Sequence, residues 1–177
     1  MTFEDVMTGF EVIRKSSEET ARELKEVVAG LKETRETVNT LAGKWGNFVV
    51  GLVLPATKKM FQEKGIVIKN IFKGAESDEE SAKMEIDILA VNGDYVVAIE
   101  VKSTLGVDDV NDHLNRLLKF KQAFPLYANL TVIGAVAGIV INKGVDRYAY
   151  QKGLFVIGQS GDTVRILNDE KFKPRYF

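Results

Sequence analysis

Asp87, Glu100 and Lys102 stand inside otherwise apolar runs of the stretch KMEIDILAVNGDYVVAIEVKS. Charges in such runs persist only when they are paired or metal-bound. Two carboxylates at close range repel and raise each other's pKa unless a divalent cation sits between them. Mg2+ suits that role, because it takes one or two carboxylates and completes its shell with waters and phosphate oxygens. A cation so held polarises a phosphoryl oxygen and acidifies bound water, while an ammonium orients the nucleophile or offsets transition-state charge. The trio therefore carries the equipment for phosphodiester hydrolysis, with Asp87 and Glu100 around Mg2+ (or Mn2+) and Lys102 beside them. A buried structural ion pair, in which Lys102 only neutralises a carboxylate, is the plainer alternative.

Whether the three side chains meet depends on strand parity. Asn92-Gly93 is the strongest short signal for a two-residue hairpin loop. With that loop Val91 pairs with Asp94 and Asp87 lies opposite Ala98. Side chains alternate along a strand, so Ala98, Glu100 and Lys102 share a face, and Asp87 projects to the same side, diagonal to Glu100. A three-residue loop would reverse the parity and send Asp87 to the other face.

The elements around this hairpin follow from periodicity and punctuation. Residues 1–43 contain no Pro and read as a long helix. Within it Leu24, Val28, Leu31, Arg35, Val38, Ala42 and Trp45 follow steps of four and three, with Arg35 the one charged interruption. That seam suits a short coiled coil bringing chains together as a dimer, and equally an amphipathic helix packed on its own domain. A second stretch with Trp45, Phe48, Val49, Leu52, Val53, Met60 and Phe61 gives a buried helix bent near Pro55 and stopped by Gly65. IVIKNIF alternates as a strand, and KGAESDEESAK reads as an exposed connection. After the hairpin, Val110, Leu114, Leu117, Leu118 and Lys121 keep helical spacing from Val107 to Phe124, and Pro125 ends that helix. LTVIGAVAGIVI reads as a central strand, KGVDRYAYQKG as a short helix, and LFVIGQSGDTVRIL as a terminal hairpin. The order helix, three strands, helix, strand predicts an α/β fold with helices on a mixed sheet, and a division into residues 1–43 and 44–177.

Composition narrows the chemistry. The 177 residues, 45% hydrophobic and 28% charged, support one main core. No 18-residue uncharged apolar run and no basic-then-apolar leader occurs, so the expectation is a cytoplasmic protein with no membrane segment. The chain has no Cys and one His, which excludes disulfides and thiolate chemistry and leaves oxygen as the ligand for any metal. No Gly-rich turn opens a helix, so no nucleotide cofactor is expected, and Gly134 and Gly138 read as close-packing residues of the central strand. A net charge of −1 gives no global footprint for nucleic acid. In residues 1–43 acids outnumber bases nine to six, so the long helix is no basic arm.

Asp87, twelve intervening residues and then Glu100-Val101-Lys102 at the end of an apolar strand resemble the signature of the PD-(D/E)xK nuclease superfamily. The element order from Lys44 to Ile141 is similar to that superfamily's restriction-endonuclease-like core. MEIDILAVNGDYVVAIEVKS, VDDV, DRYAYQKGLFV and SGDTVRILND further resemble a prokaryotic family within it, in which a helical segment precedes the nuclease-like domain. The resemblance covers residues 20 to 177. It implies Mg2+-dependent cleavage of DNA, with Asp87 and Glu100 as metal ligands and Lys102 as the catalytic lysine. One position departs from it: the family pattern puts a carboxylate near Val50, and the segment from Lys44 to Gln62 holds no acid. A weakened nuclease-fold module for nucleic-acid binding or coiled-coil interaction is the alternative reading.

Other residues suit accessory roles. Lys119, Lys121, Tyr148 and Lys152 are the candidate nucleic-acid contacts, since ammonium groups meet phosphates and aromatics stack on bases. Lys143 and Arg147 could add phosphate contacts, and Ser103 and Thr104 could donate hydrogen bonds beside the motif. His113, in a charged helix with Asp112 and Arg116, reads as a surface or boundary residue rather than a general base.

Overall fold

The computed structural model describes residues 2–80 and 82–177, with side chains described at all of these except 5, 6 and 39–45. Ala42 and Trp45 of the predicted seam therefore lie outside the described side chains. The chain divides into two compact units, Met1–Lys44 and Trp45–Phe177. Helix α1 is Phe3–Glu63. Its part within the first unit exposes its apolar side chains, including Phe10, Leu24, Val28, Leu31 and Val38. No helix among the described residues is long and apolar enough to cross a membrane.

In the second unit, α1 buries Val49, Val50, Val53, Thr57, Met60 and Phe61, a stripe at helical spacing. Pro55 lies inside the helix and is exposed, as is Gly51 four residues earlier. The carbonyl that loses its N–H partner to proline thus faces water, and no buried acceptor is orphaned there. Gly65, at φ 79°, closes the helix, and the Ile66 N–H donates back to the Phe61 carbonyl at 2.8 Å.

Six strands form one mixed sheet in chain order: β1 Asn70–Ser77, β2 Met84–Val91, β3 Tyr95–Leu105, β4 Thr131–Ile141, β5 Phe155–Ser160 and β6 Thr163–Ile166. The β3–β4 and β4–β5 pairs are parallel and the others antiparallel. Helix α2, Val107–Ala123, connects β3 to β4, and α3, Val145–Gln151, connects β4 to β5. Val49, Val53 and Phe61 of α1 pack on one sheet face with Ile88, Ile99, Ala135 and Ile157. Val110, Leu117 and Phe120 of α2 and Ala149 of α3 pack on the other with Ala98, Val136 and Val156. Gly134 permits the α2 contact, because a Cβ there would lie 2.4 Å from Leu117 and 2.5 Å from Leu154. This α/β arrangement, a mixed sheet flanked by helices with a long helix ahead of it in the chain, is the architecture the order of elements in the sequence predicts.

Two expectations shift. The first strand begins at Asn70, not Ile66, and takes in Lys73–Ser77, a charged segment that read as a connection. Five of its eight residues are exposed, as an edge strand allows, and the pairing of Ala75 with Ile86 and of Ser77 with Met84 supplies the hydrogen bonds that outweigh its polarity. In α2 the buried stripe runs Val110, His113, Leu117, Phe120 and Ala123, whereas Leu118 is exposed. Phe120 and His113 take the face because the 3.6-residue period carries Leu118 and Lys121 round to solvent.

Candidate active site

The site begins at the β2–β3 turn. Asn92 caps its own turn: its side-chain oxygen accepts the N–H groups of Asp94 and Tyr95, each at 2.7 Å. The Asn92 N–H donates to the Tyr95 carbonyl, leaving Gly93 and Asp94 at the tip. The tip is thus one residue later than Asn92-Gly93, and Val91 pairs with Val96 instead of Asp94. Moving the centre by one residue moves each partner by two, so parity survives and Asp87 falls level with Glu100 rather than Ala98.

The ladder stops just there. Ile88–Val91 pair with Val96–Ile99, but Met84–Ile86 pair only with β1, and β3 from Glu100 onward pairs only with β4. The strands part at Asp87 and Glu100. Ile86 and Ile88, flanking Asp87, belong to the cores on opposite sheet faces, so simple alternation breaks at the aspartate. Its carboxylate turns into the gap and accepts the backbone N–H of Val101 through Oδ2 at 2.7 Å. Among the described residues Asp87 forms no ion pair. Burial raises its pKa, the Val101 N–H acts against that rise, and the nearby Glu100 charge adds to it while Lys102 opposes it.

Glu100 is 2% exposed and is held by two cations. Arg116 of α2 grips it with both arms, Nη1 to Oε2 at 2.6 Å and Nη2 to Oε1 at 3.2 Å. Lys102 Nζ lies 2.9 Å from Oε1. Arg116 Nη1 also reaches the Glu85 carbonyl on β2 at 3.3 Å, so one guanidinium spans the parted strands. Lys102 lies 3.9 Å from Asp109 Oδ1, and the other oxygen of Asp109 accepts the Gly106 N–H that opens α2. Burial works against the Lys102 charge, but the hydrogen bond and charge of Glu100, helped by Asp109 and Asp87, outweigh it and hold its pKa above the ordinary lysine range. Lys102 is therefore a permanent ammonium near neutral pH, fit to donate or to neutralise and unfit to take a proton.

His113 is a correction: it is fully buried beneath this site, not at a surface or boundary. Its Nε2 lies 3.1 Å from the Ala98 carbonyl, which only accepts, so Nε2 carries the proton in the neutral ring. Nδ1 then presents a lone pair, without a hydrogen-bond partner, 4.0 Å from Glu100 Oε2. Burial depresses the imidazole pKa to about 4, against the pull of Glu100 and the Ala98 bond and with help from Arg116 and Lys102. The folded pKa lies below the unfolded one, so the neutral ring's contribution is complete above pH 6.5 and is lost as pH falls toward 4. Denaturant melts between pH 7 and 4 should lose on the order of 3 kcal/mol from this residue, a loss that His113→Gln removes. An identical pH slope in that variant would refute this assignment.

The remaining sequence candidates are spread out. Lys119 and Lys121 are both exposed on α2; Lys119 follows Arg116 by nearly one turn, while Lys121 is rotated roughly 140° from it. The Tyr148 hydroxyl donates to Asn111 Oδ1 at 2.7 Å and ties α3 to α2, and Lys152 Nζ stands 5.2 Å from that ring's centre. Lys143 and Arg147 are exposed, as is Thr104, and Ser103 is half-buried. Val50 is buried in the α1-side core, where valine packs and a carboxylate would need a partner. Arg116 is the residue sequence reasoning passed over; its only signal was that a carboxylate in a strand buried on both faces needs a cation within reach.

The donor set suits a small, oxygen-seeking cation. Among the described residues no three His, Cys, Asp or Glu side chains are grouped to hold a metal by themselves. Mg2+ needs only one or two carboxylates when water and phosphate supply the rest, and Asp87 offers a half-buried carboxylate with no cation of its own. Glu100 fits as its companion once Arg116 yields an oxygen.

No protein-family model matches the sequence. No curated protein matches it either. Solved structures do. A repair endonuclease from Pyrococcus abyssi aligns at 15% identity and TM-score 0.42 over 60% of this chain and 44% of its own. A protein of unknown function aligns at 15% identity and TM-score 0.44 over 62% and 57%. The small subunit of the heterodimeric restriction endonuclease R.BspD6I aligns at 17% identity and TM-score 0.32 over 58% and 59%. The chain thus spans about half the length of the structures it matches.

Proposed function

We propose that the second unit is a nuclease-type phosphodiesterase acting on DNA with Mg2+ or Mn2+. The observation that carries this reading is the convergence of Asp87, Glu100 and Lys102 where β2 and β3 part, an arrangement that opens the sheet beside the half-buried Asp87 and the buried Glu100. Asp87 and Glu100 would hold the cation. When bound, it would polarise a phosphoryl oxygen and ease ionisation of the attacking water. Asp87, fixed by the Val101 N–H, sets the ligand position without a flexible side chain. Lys102, kept charged by Glu100, stabilises negative charge as it builds on the phosphate. DNA as the substrate rests on the resemblance of the Asp87, Glu100-Val101-Lys102 pattern to DNA-cleaving nucleases.

A second reading has its own support. Arg116 and Lys102 already neutralise Glu100, and Val50 stands where the resembled family carries an acid, so the same fold could bind nucleic acid without turnover. Calorimetric titration of Mn2+ into the wild type and Asp87→Asn, with and without a DNA duplex, separates the two. The nuclease reading expects binding that Asp87→Asn removes. Wild type that binds no cation even beside DNA would leave the trio as a structural ion cluster.

A further inference from the structure

We propose that the first unit pairs with the same unit of a second copy of this chain, with the two α1 helices running antiparallel. The apolar seam is longer than Leu24 to Val38. Counting back from Leu24 in steps of three and four gives Ala21, Ser17, Arg14, Phe10, Met7 and Phe3. Phe3, Met7 and Phe10 are 83%, 51% and 64% exposed, and Leu24, Val28, Leu31 and Val38 are 56–64% exposed, so the stripe is unpartnered within the unit. In heptad terms Phe3, Phe10, Ser17, Leu24, Leu31 and Val38 hold the d positions, and Met7, Arg14, Ala21, Val28 and Arg35 the a positions.

Orientation follows from the charges. In a parallel pair in register each a residue faces its own copy, which would set Arg14 against Arg14 and Arg35 against Arg35 inside the seam. An antiparallel pair layers a against d. With Ala21 opposite Leu24 of the other copy, Met7 meets Val38, Arg14 meets Leu31 and Arg35 meets Phe10. Every arginine then faces an apolar side chain over which its stem can lie. Arg14 already leans out of the seam toward Glu18, at 3.6 Å.

The edges agree with that register. The e positions read Glu4, Glu11, Glu18, Lys25 and Lys32, acidic in the first half and basic in the second. An antiparallel pair brings each e edge against the partner's e edge, so Glu18 meets Lys25 and Glu11 meets Lys32, twice over by symmetry. Sliding one helix by a heptad sets Glu18 against Glu18 or Lys25 against Lys25. The g positions Ile13, Thr20, Val27 and Thr34 are uncharged and widen the apolar stripe. In a parallel pair these g residues would lie against the charged e residues, and no ion pair would form across the seam. Charge complementarity thus selects a second copy, in one direction and one register.

The chain has no Cys, so single cysteines report orientation cleanly. In the full-length protein, Met7→Cys and Val38→Cys should each fail to cross-link alone, since like positions lie about 45 Å apart, while an oxidised mixture forms a disulfide heterodimer. Sedimentation should show a wild-type dimer. Glu11→Lys/Glu18→Lys should weaken that self-association at least about tenfold, and mixing with Lys25→Glu/Lys32→Glu should restore it. Self-cross-linking of Met7→Cys would establish a parallel pair, and a wild-type monomer at high micromolar concentration would remove the interface; either result overturns the proposal.

Discussion

Asp87→Asn, Glu100→Gln and Lys102→Ala should each reduce cation-dependent cleavage of plasmid DNA by about a hundredfold or more, with the proteins still folded by circular dichroism. The expected reasons differ. Asn at 87 still accepts the Val101 N–H but loses the charge that would hold a cation. Gln at 100 removes the counter-charge of both Arg116 and Lys102, so its loss should come with reduced stability. Lys102→Ala deletes an ammonium that Glu100, Asp109 and Asp87 keep protonated. That electrostatic environment makes Lys102 a poor base, so Lys102→Arg should retain more activity than Lys102→Ala, and the rate should show no rising limb from lysine deprotonation below its ordinary range. Equal activity in all three variants would point to a contaminant or to another site. Lys102→Arg as inactive as Lys102→Ala would instead say that a compact ammonium, not charge alone, is required.

What the sequence shows of this site, and what it hides, divides along the range of the interactions. The trio was legible because Asp87, Glu100 and Lys102 lie on one hairpin, where period-two alternation and a strong turn dipeptide act locally. The turn's tip was misplaced by one residue because Asn92 serves as its own cap, a choice between neighbouring turns that differ by little energy. Parity survived only because the loop kept two residues. The parting of β2 and β3 was not legible: the register of β2 with β1 and of β3 with β4 decides where the ladder ends, and both are pairings beyond the hairpin. His113 was misread for the same reason. Asp112 and Arg116 beside it suggested solvent, but Gly134 lets α2 settle on β4 closely enough to bury the imidazole against Ala98 and Glu100. The long helix shows the reverse case: the three-and-four spacing of its apolar residues is local and legible, and in the structure Leu24, Val28, Leu31 and Val38 are exposed.

Arg116→Ala should have two opposite effects, and their combination is more informative than either. Without cation the variant should be less stable by about 2 kcal/mol, less than the usual cost of breaking a buried ion pair because Lys102 remains on Glu100 and Arg116 is itself 29% exposed. It also loses the Glu85 contact that bridges the parted strands. With Mn2+ the order should reverse in part: Glu100 regains lone pairs that the guanidinium occupied at 2.6 and 3.2 Å, so the variant should bind the cation more tightly than wild type and recover stability through binding. Thermal melts of both proteins across a Mn2+ series read the two effects together. A destabilised variant whose melting point does not respond to Mn2+ would make Arg116–Glu100 a purely structural pair and favour the module without turnover. A response equal to that of wild type would mean that the cation and the guanidinium do not compete for Glu100. The competition has a physical basis, since a guanidinium and a divalent cation satisfy the same buried carboxylate, and the arginine can leave only when something else takes over the charge it neutralises.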